Sequence, residues 1–333
     1  MGNPDTDKNY GSFCMNEKNY TLEKSFFTSA DGENRIAYYI FAPKTDVRAV
    51  LQLSHGMCEY ILRYEMFADY LAGQGIAVCG NDHLGHGYSA KSDVDLGFTS
   101  NKKGARHILA DLVSMTEIIK EKYPGVPVFL LGHSMGSFFA RVYAARNGGK
   151  ISGLILSGTA GNTSPTGLAR ILARLNILFC GGRNRSDLLY RLTIGSYRKK
   201  SPKGSENGWL SGDAEIRKKY DNDKFCNFRF TSAAYRDMFD ALHEVSRGSW
   251  AKKLPRDLPV LITSGDRDPV GANGRGVRQV YSRLVSAGMT DVTLKLWENM
   301  RHEVLNEVDR QNVYEYITDW LNTKVNDGKN KGN

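Results

Sequence analysis

Short, continuously apolar runs alternate with amphipathic stretches along most of this chain. Val126-Pro127-Val128-Phe129-Leu130-Leu131 is apolar at every position, and Ala49–Ser54, Gly75–Asn81, Ile151–Ser157, Pro259–Ser264 and Val292–Trp297 are short runs of the same kind. A strand with one wet face alternates polar and apolar residues, whereas one that is apolar throughout is covered on both faces. Between these runs, Leu62–Ala72, Ala105–Tyr123, Phe138–Ala145, Gly276–Ala287 and Val308–Lys324 read as helices. Two further strand-like stretches, Lys24–Ser29 and Arg35–Phe41, flank the turn Asp31-Gly32-Glu33-Asn34. The pattern predicts an α/β fold: a mostly parallel, eight-stranded sheet with helices on both faces.

One region breaks the alternation. Residues 162–250 are mostly helical in pattern and strongly basic, with sixteen Lys and Arg against nine Asp and Glu. That excess of seven is most of the net +9 of the whole 333-residue chain. The first helix of this stretch places Leu168, Ile171, Leu172, Leu175, Leu178 and Phe179 on one face, with Arg170 and Arg174 off it. The division that follows is a tail over 1–20, a core over 21–161 and 251–325, a helical insertion over 162–250 and a flexible tail over 326–333.

Composition narrows the class. The hydrophobic fraction of 41% is that of a globular protein, and no run reaches the roughly 18–20 apolar residues of a bilayer span. The polar opening Met1-Gly2-Asn3-Pro4-Asp5-Thr6 lacks an apolar signal centre and predicts an intracellular, cytoplasmic protein. Its fit to the short myristoylation pattern is read as chance. Five cysteines (Cys14, Cys58, Cys79, Cys180 and Cys226) show no paired spacing and predict free thiols.

Chemistry is concentrated where the strands end. Gly132-His133-Ser134-Met135-Gly136 sits between an apolar strand and a helix, the setting of a nucleophile elbow, in which a serine occupies a sharp, strained turn. A serine hydroxyl needs a base to take its proton, and the base needs a carboxylate to orient it. His302, in the loop before the last helix, is the candidate base. Asp268, in Ser264-Gly265-Asp266-Arg267-Asp268-Pro269, is the candidate carboxylate. It is preferred to Asp266 because the longer turn carries it past the strand end toward the histidine. Donors for an oxyanion are sought in the N–H of Met135 and, in the turn His55-Gly56-Met57, the N–H of Met57. His55, Gly56, Asp82, His86 and His133 are read as supporting residues. In Asp82-His83-Leu84-Gly85-His86-Gly87 no third ligand is evident, so no metal and no cofactor is predicted.

Together, His55-Gly56-Met57, Asp82-His83-x-Gly85-His86-Gly87-x-Ser89, Gly132-His133-Ser134-Met135-Gly136, Gly265-x-x-Asp268 and His302-Glu303 resemble the monoacylglycerol lipase and lysophospholipase branch of the α/β-hydrolases, over roughly residues 20–325. The resemblance implies the α/β-hydrolase fold. It also implies a serine esterase with Ser134, Asp268 and His302 as triad, and an insertion that caps an acyl-binding pocket. Two positions depart from the pattern. Cys58-Glu59-Tyr60 follows the oxyanion turn where Gly-Glu-His or Ala-Glu-His is common, and Ser137 stands where a glycine is usual.

The reading is therefore a serine hydrolase of monoacylglycerol- or lysophospholipid-like esters. Alternatives are an esterase for short-chain or aryl esters or thioesters, an aminopeptidase, and a non-catalytic binding protein of the same fold. Aminopeptidases need acidic cap residues for the substrate's amino group, which a cap of net +7 disfavours. The expected partner is a small acyl ester. Contact of the basic cap, through its amphipathic helix and Arg198-Lys199-Lys200, with an anionic membrane is a further expectation. Nucleic acid is not expected, since no recognition motif accompanies the charge. The sequence leaves the oligomeric state open.

Overall fold

The computed structural model describes residues 17–162, 166–199, 201 and 206–330. In chain order its strands are β1 (Tyr20–Thr28), β2 (Arg35–Pro43), β3 (Ala49–Ser54), β4 (Ile76–Asn81), β5 (Val128–His133), β6 (Gly153–Ser157), β7 (Val260–Gly265) and β8 (Val292–Trp297). Core helices are α1 (Glu65–Ala72), α2 (Gly104–Lys122), α3 (Met135–Asn147), α9 (Arg275–Ser286) and α10 (Arg310–Asn330). Between β6 and β7 lie α4 (Thr166–Cys180), α5 (Asp187–Leu192), α6 (Ile194–Arg198), α7 (Ala214–Asn222) and α8 (Ser232–Ser246).

The strands form one eight-stranded sheet in the order β1-β2-β4-β3-β5-β6-β7-β8. β1 and β2 are antiparallel to their neighbours and the rest run parallel. β3 to β7 are buried at every position, which is why their sequence shows no alternation. Alternate residues of one strand still serve different faces. Phe129 and Leu131 pack with Phe67, Leu71, Ile317 and Trp320 of α1 and α10, while Leu130 packs with Leu112, Phe139 and Tyr143 of α2 and α3. The chain moves from β3 to β4 on one side, then returns to place β5 on the other. At such a reversal the flanking connections part and leave a crevice beyond the strand ends, where α/β sheets place their sites.

Several boundaries differ from those the pattern predicts. The stretch from Ile61 begins as a 3-10 turn, Ile61–Tyr64, and becomes α-helical only at Glu65. The carboxylate of Asp82 accepts the Ile61 N–H at 3.0 Å and fixes that entry. β5 begins at Val128, since Pro127 has no N–H to give a ladder. α3 starts at Met135, three residues ahead of the predicted Phe138, because the helix grows directly out of the elbow. β1 begins at Tyr20, inside the predicted tail. α10 continues to Asn330, into the stretch from 326 expected as a tail, and Lys324 bridges Asp291 at 2.6 Å beside its last turns. Residues 1–16 and 331–333, and with them Cys14 and the myristoylation pattern, lie outside the described residues. The remaining four cysteines are free.

Candidate active site

The elbow is built by exclusion of side chains. A Cβ on Gly136 would lie 1.9 Å from the Ser54 carbonyl oxygen, and one on Gly132 would lie 2.6 Å from that of Gly136. Backbones can approach so closely only without Cβ atoms, and the approach forces Ser134 into φ 52°, ψ −120°, a region L-residues avoid. Ser134 N–H is anchored to the Ser157 carbonyl on the neighbouring strand at 2.9 Å. The serine is thus held at the mouth of the crevice, with Met135 as the first residue of α3. First-turn N–H groups have no intrahelical acceptor, and the helix dipole favours negative charge there.

Asp268 and His302 arrive from the two last strand ends. Asp268 is fully buried, His302 almost so, and Nδ1 of the histidine lies 3.0 Å from Oδ1 of the aspartate. Asp268 also accepts from Val270 N–H at 2.8 Å and from Ser264 Oγ at 3.0 Å. Asp266, the competing carboxylate, is instead used by the Asn299 N–H at 2.9 Å. Burial lowers the affinity of His302 for a proton, but the Asp268 charge and hydrogen bond outweigh it and hold its pKa above the ordinary value. Burial likewise pushes Asp268 up, but the charge and hydrogen bond of His302, together with the bonds from Val270 and Ser264, bring it below its ordinary value. Ser134 and His302 line the same cavity, of about 490 Å³, together with Met57, Met135 and His133.

The supporting residues fall into two groups. His55 accepts the His83 N–H on Nε2 at 2.9 Å, so its proton sits on Nδ1, directed at the Gly56 carbonyl at 2.8 Å. That bond stiffens the turn carrying Met57. Asp82 ties the Ile61 and Tyr88 N–H groups and the Tyr39 hydroxyl. His86 donates to or accepts from no group of the cavity; its ring packs on His55, Phe228 and Phe230. The His133 ring packs against that of His302, tilted by 47° with centroids 4.8 Å apart, and burial with the His302 charge brings its pKa down to about 3. Among the described residues no group of three or more His, Cys, Asp or Glu could hold a metal. Cys58, which lines the cavity, is a neutral thiol, because burial pushes its pKa well up.

A buried charge cluster beside the site is a feature the sequence reading passed over. Arg63 donates to Glu59 at 2.8 Å and forks onto both oxygens of Glu303, at 3.0 and 2.8 Å. Glu59 accepts in turn from the Gly56 N–H and, at 2.9 Å, from the Tyr64 hydroxyl. Burial pushes both carboxyls up; Arg63 overrides it at Glu303, held down at about 2, while Glu59 stays above its ordinary value. The cluster therefore joins the oxyanion turn to the residue after His302. The Glu59–Arg63 spacing of four was its signal in the sequence.

The insertion closes over these groups. The Glu303 N–H donates to the Leu210 carbonyl at 2.7 Å, Trp209 packs 5.1 Å from the His302 ring, and Tyr60 donates to Asp223 at 2.8 Å. The rest of the cavity is largely apolar, walled by residues such as Phe138, Leu172, Leu189, Met238, Phe239 and Leu242. α4 turns most of its apolar stripe outward. Only Thr166 and Ala173 are buried, while Leu168, Ile171, Leu175, Leu178 and Phe179 are exposed, the last two at 74% and 80%. Arg170, half-buried, and Arg174, exposed, both reach Asp240 of α8, at 2.6 and 3.1 Å. Arg198 is no free surface cation either, for it lines the cavity and is bonded to Glu206 and Asn227 at 2.6 and 2.8 Å. Lys199 is exposed, and Lys200 lies outside the described residues.

An eight-stranded sheet with a strained serine after β5 and an acid and a histidine after β7 and β8 defines an α/β-hydrolase. The chain belongs to the Hydrolase_4 family, described as serine aminopeptidase, S33, whose model matches residues 45–309. It is a hydrolase by that membership, and its relatives bear lipase and esterase names. A monoacylglycerol lipase of Mycolicibacterium smegmatis is 28% identical over 293 residues, covering 87% of this chain and 94% of that one. The human monoglyceride lipase is 26% identical over 308 residues, covering 89% of each. Among solved structures, a thermostable carboxyl esterase from Bacillus coagulans superposes with a TM-score of 0.86 at 30% identity, over 91% of this chain and 99% of that one. A monoglyceride lipase from Saccharomyces cerevisiae shares the fold, with a TM-score of 0.71 at 21% identity over 94% and 98% of the two chains.

Proposed function

We propose that the chain is a serine carboxylic-ester hydrolase of monoacylglycerol- or lysophospholipid-like substrates, working through an acyl-enzyme on Ser134. The observation that carries this reading is a single cavity holding Ser134 and His302 at one place and a long apolar lining elsewhere. His302 takes the Ser134 proton as the hydroxyl attacks the ester carbonyl, and Asp268 holds the ring and the charge it gains. The Met57 and Met135 N–H groups receive the oxyanion, which His302 helps collapse by protonating the leaving alcohol. Water, deprotonated by the same histidine, then releases the acid. The names of the relatives support an acyl ester. The family description names an aminopeptidase, but the basic cap supplies poor company for a substrate ammonium.

The experiment is turnover of a panel of long-chain monoacylglycerols, lysophospholipids, p-nitrophenyl esters of rising chain length and an aminoacyl anilide. Preference for long-chain lipid esters supports the reading. Cleavage confined to short or aryl esters would leave an esterase, and cleavage of the anilide alone would make the chain an aminopeptidase.

The outward apolar face of α4 supports a second part of the reading, peripheral contact with an anionic membrane. Leu168 and Leu192 are both exposed and part of the cavity lining, so the stripe borders the cavity mouth. Lipid substrates reach such a mouth without crossing water. Among the described residues no helix is long and apolar enough to cross a membrane. Flotation with neutral and anionic vesicles is the test: no binding to either, or binding unchanged in Leu178→Ser/Phe179→Ser, removes the contact.

A further inference from the structure

Ser137, at the position where glycine is usual, is fully buried, and its Oγ lies 2.5 Å from the Ser134 carbonyl oxygen and 2.8 Å from Thr159 Oγ1. One turn further along α3, the fully buried Arg141 places Nη1 3.3 Å from the same Thr159 hydroxyl. Its other acceptors are main-chain carbonyls, Ala160 at 2.8 Å and Val245 at 2.6 Å, and the guanidinium lies 4.5 Å from the centre of the Trp250 ring. Burial, with the charge of Arg283, brings Arg141 down to about 9, so it is charged at neutral pH.

Proton counting gives these bonds a direction. A guanidinium only donates and a carbonyl only accepts. Ser137 has one hydroxyl proton, which goes to the Ser134 carbonyl; Thr159 must then donate to Ser137, and Arg141 to Thr159. The result is a one-way chain, Arg141 to Thr159 to Ser137 to Ser134, starting at a buried cation. It ends on the peptide group that links Ser134 to Met135. That group is planar, so fixing its C=O fixes the N–H on the opposite edge. Successive donors also polarise one another, which strengthens the last N–H as a donor.

We propose that Ser137, Thr159 and Arg141 are positioning residues that aim and polarise the Met135 N–H toward the oxyanion, and that Arg141 ties this geometry to both roots of the insertion through Ala160 and Val245. The proposal rests on Ser134 being the nucleophile. It gives the unusual Ser137 a role: glycine there would leave the relay without its last link.

Thr159→Val cuts the chain at nearly constant volume, and Thr159→Ser keeps the hydroxyl. For each folded variant, kcat and KM are measured on one acyl ester, with affinities for a trifluoromethyl ketone analogue of the tetrahedral state and for an unreactive ether analogue of the substrate. A misaimed donor costs less than a deleted one, which is worth about 10²–10³ in rate. Thr159→Val is therefore expected to lose about tenfold in kcat and in ketone affinity, with KM and ether affinity within about twofold, and Thr159→Ser to stay near wild type. Ser137→Ala should match the loss, and combining it with Thr159→Val should add little, because both cut one chain. Should Thr159→Val fail to fold, Ser137→Ala carries the same comparison. Equal losses in Thr159→Val and Thr159→Ser, parallel falls in ketone and ether affinity, or losses that multiply would each overturn the proposal. Ser134→Ala is assayed alongside. Activity in that variant would end the nucleophile reading, whereas an inactive Ser134→Ala beside a fully active Thr159→Val would end the relay alone.

Discussion

Two regions of this molecule use similar residues to opposite ends. At the rim of the sheet, polar and charged groups are buried and held in multiple bonds: Asp268 by His302, Ser264 and Val270, Arg63 by Glu59 and Glu303. On α4, five large apolar side chains face solvent while its arginines are tied to one carboxylate, Asp240. Burying a charge is costly unless it is paired, and exposing an apolar stripe gains nothing for a lone chain. Each region departs from the economical arrangement, and each departure marks something other than stability. On the proposed function, the rim holds the reacting groups and the stripe meets a membrane surface.

The largest expected effects break the rim. Ser134→Ala and His302→Ala should each lower kcat by about 10⁴-fold or more, and Asp268→Asn by about 10⁴, read by steady-state ester hydrolysis of folded protein. Next comes the buried cluster. Arg63→Met strands two nearly inaccessible carboxylates and should destabilise the fold by about 3–5 kcal/mol, measured by urea unfolding. A loss below about 1 kcal/mol would mean that the cluster is wetter than its geometry implies.

The pH dependence sharpens the same contrast. The pKa of His302 is raised above its unfolded value of about 6.5, so the stability it contributes is fully present below that pH and is lost as pH rises through the folded pKa. Catalysis needs the neutral imidazole and moves the other way, so kcat/KM should climb across the window in which this stability declines. Asp268→Asn, whatever its residual rate, should shift the acid limb to lower pH. An unmoved limb would detach Asp268 from His302.

Smaller effects belong to the cap. Leu178→Ser/Phe179→Ser should weaken vesicle binding by about tenfold or more, given the apolar area removed, yet change unfolding free energy by less than about 0.5 kcal/mol. Asp240→Asn removes partly exposed pairs with Arg170 and Arg174 and should cost at most about 1 kcal/mol.

The same contrast explains what the sequence disclosed. The convergence of Ser134, Asp268 and His302 was legible because all three follow strand ends on one sheet edge, and the strands advertise themselves as unbroken apolar runs. Asp268 could be told from Asp266 by one turn's reach. Helical periodicity gave α4 an apolar face but could not say what it faces, since a stripe toward a core and a stripe toward a membrane have the same spacing. Arg198 read as surface charge because its neighbours Lys199 and Lys200 are basic, although its partners Glu206 and Asn227 come from other parts of the insertion. The Ser137–Thr159–Arg141 relay joins α3 to the segment after β6, and no local pattern announces a contact of that kind.

The most direct test of the central claim is covalent. The chain is reacted with a long-chain alkyl fluorophosphonate and its intact mass and peptide map are read. One adduct, on Ser134, that is lost in Ser134→Ala and formed far more slowly in His302→Ala is the predicted result. No adduct, or one carried by another residue, would contradict Ser134 as the nucleophile and with it the account of the site.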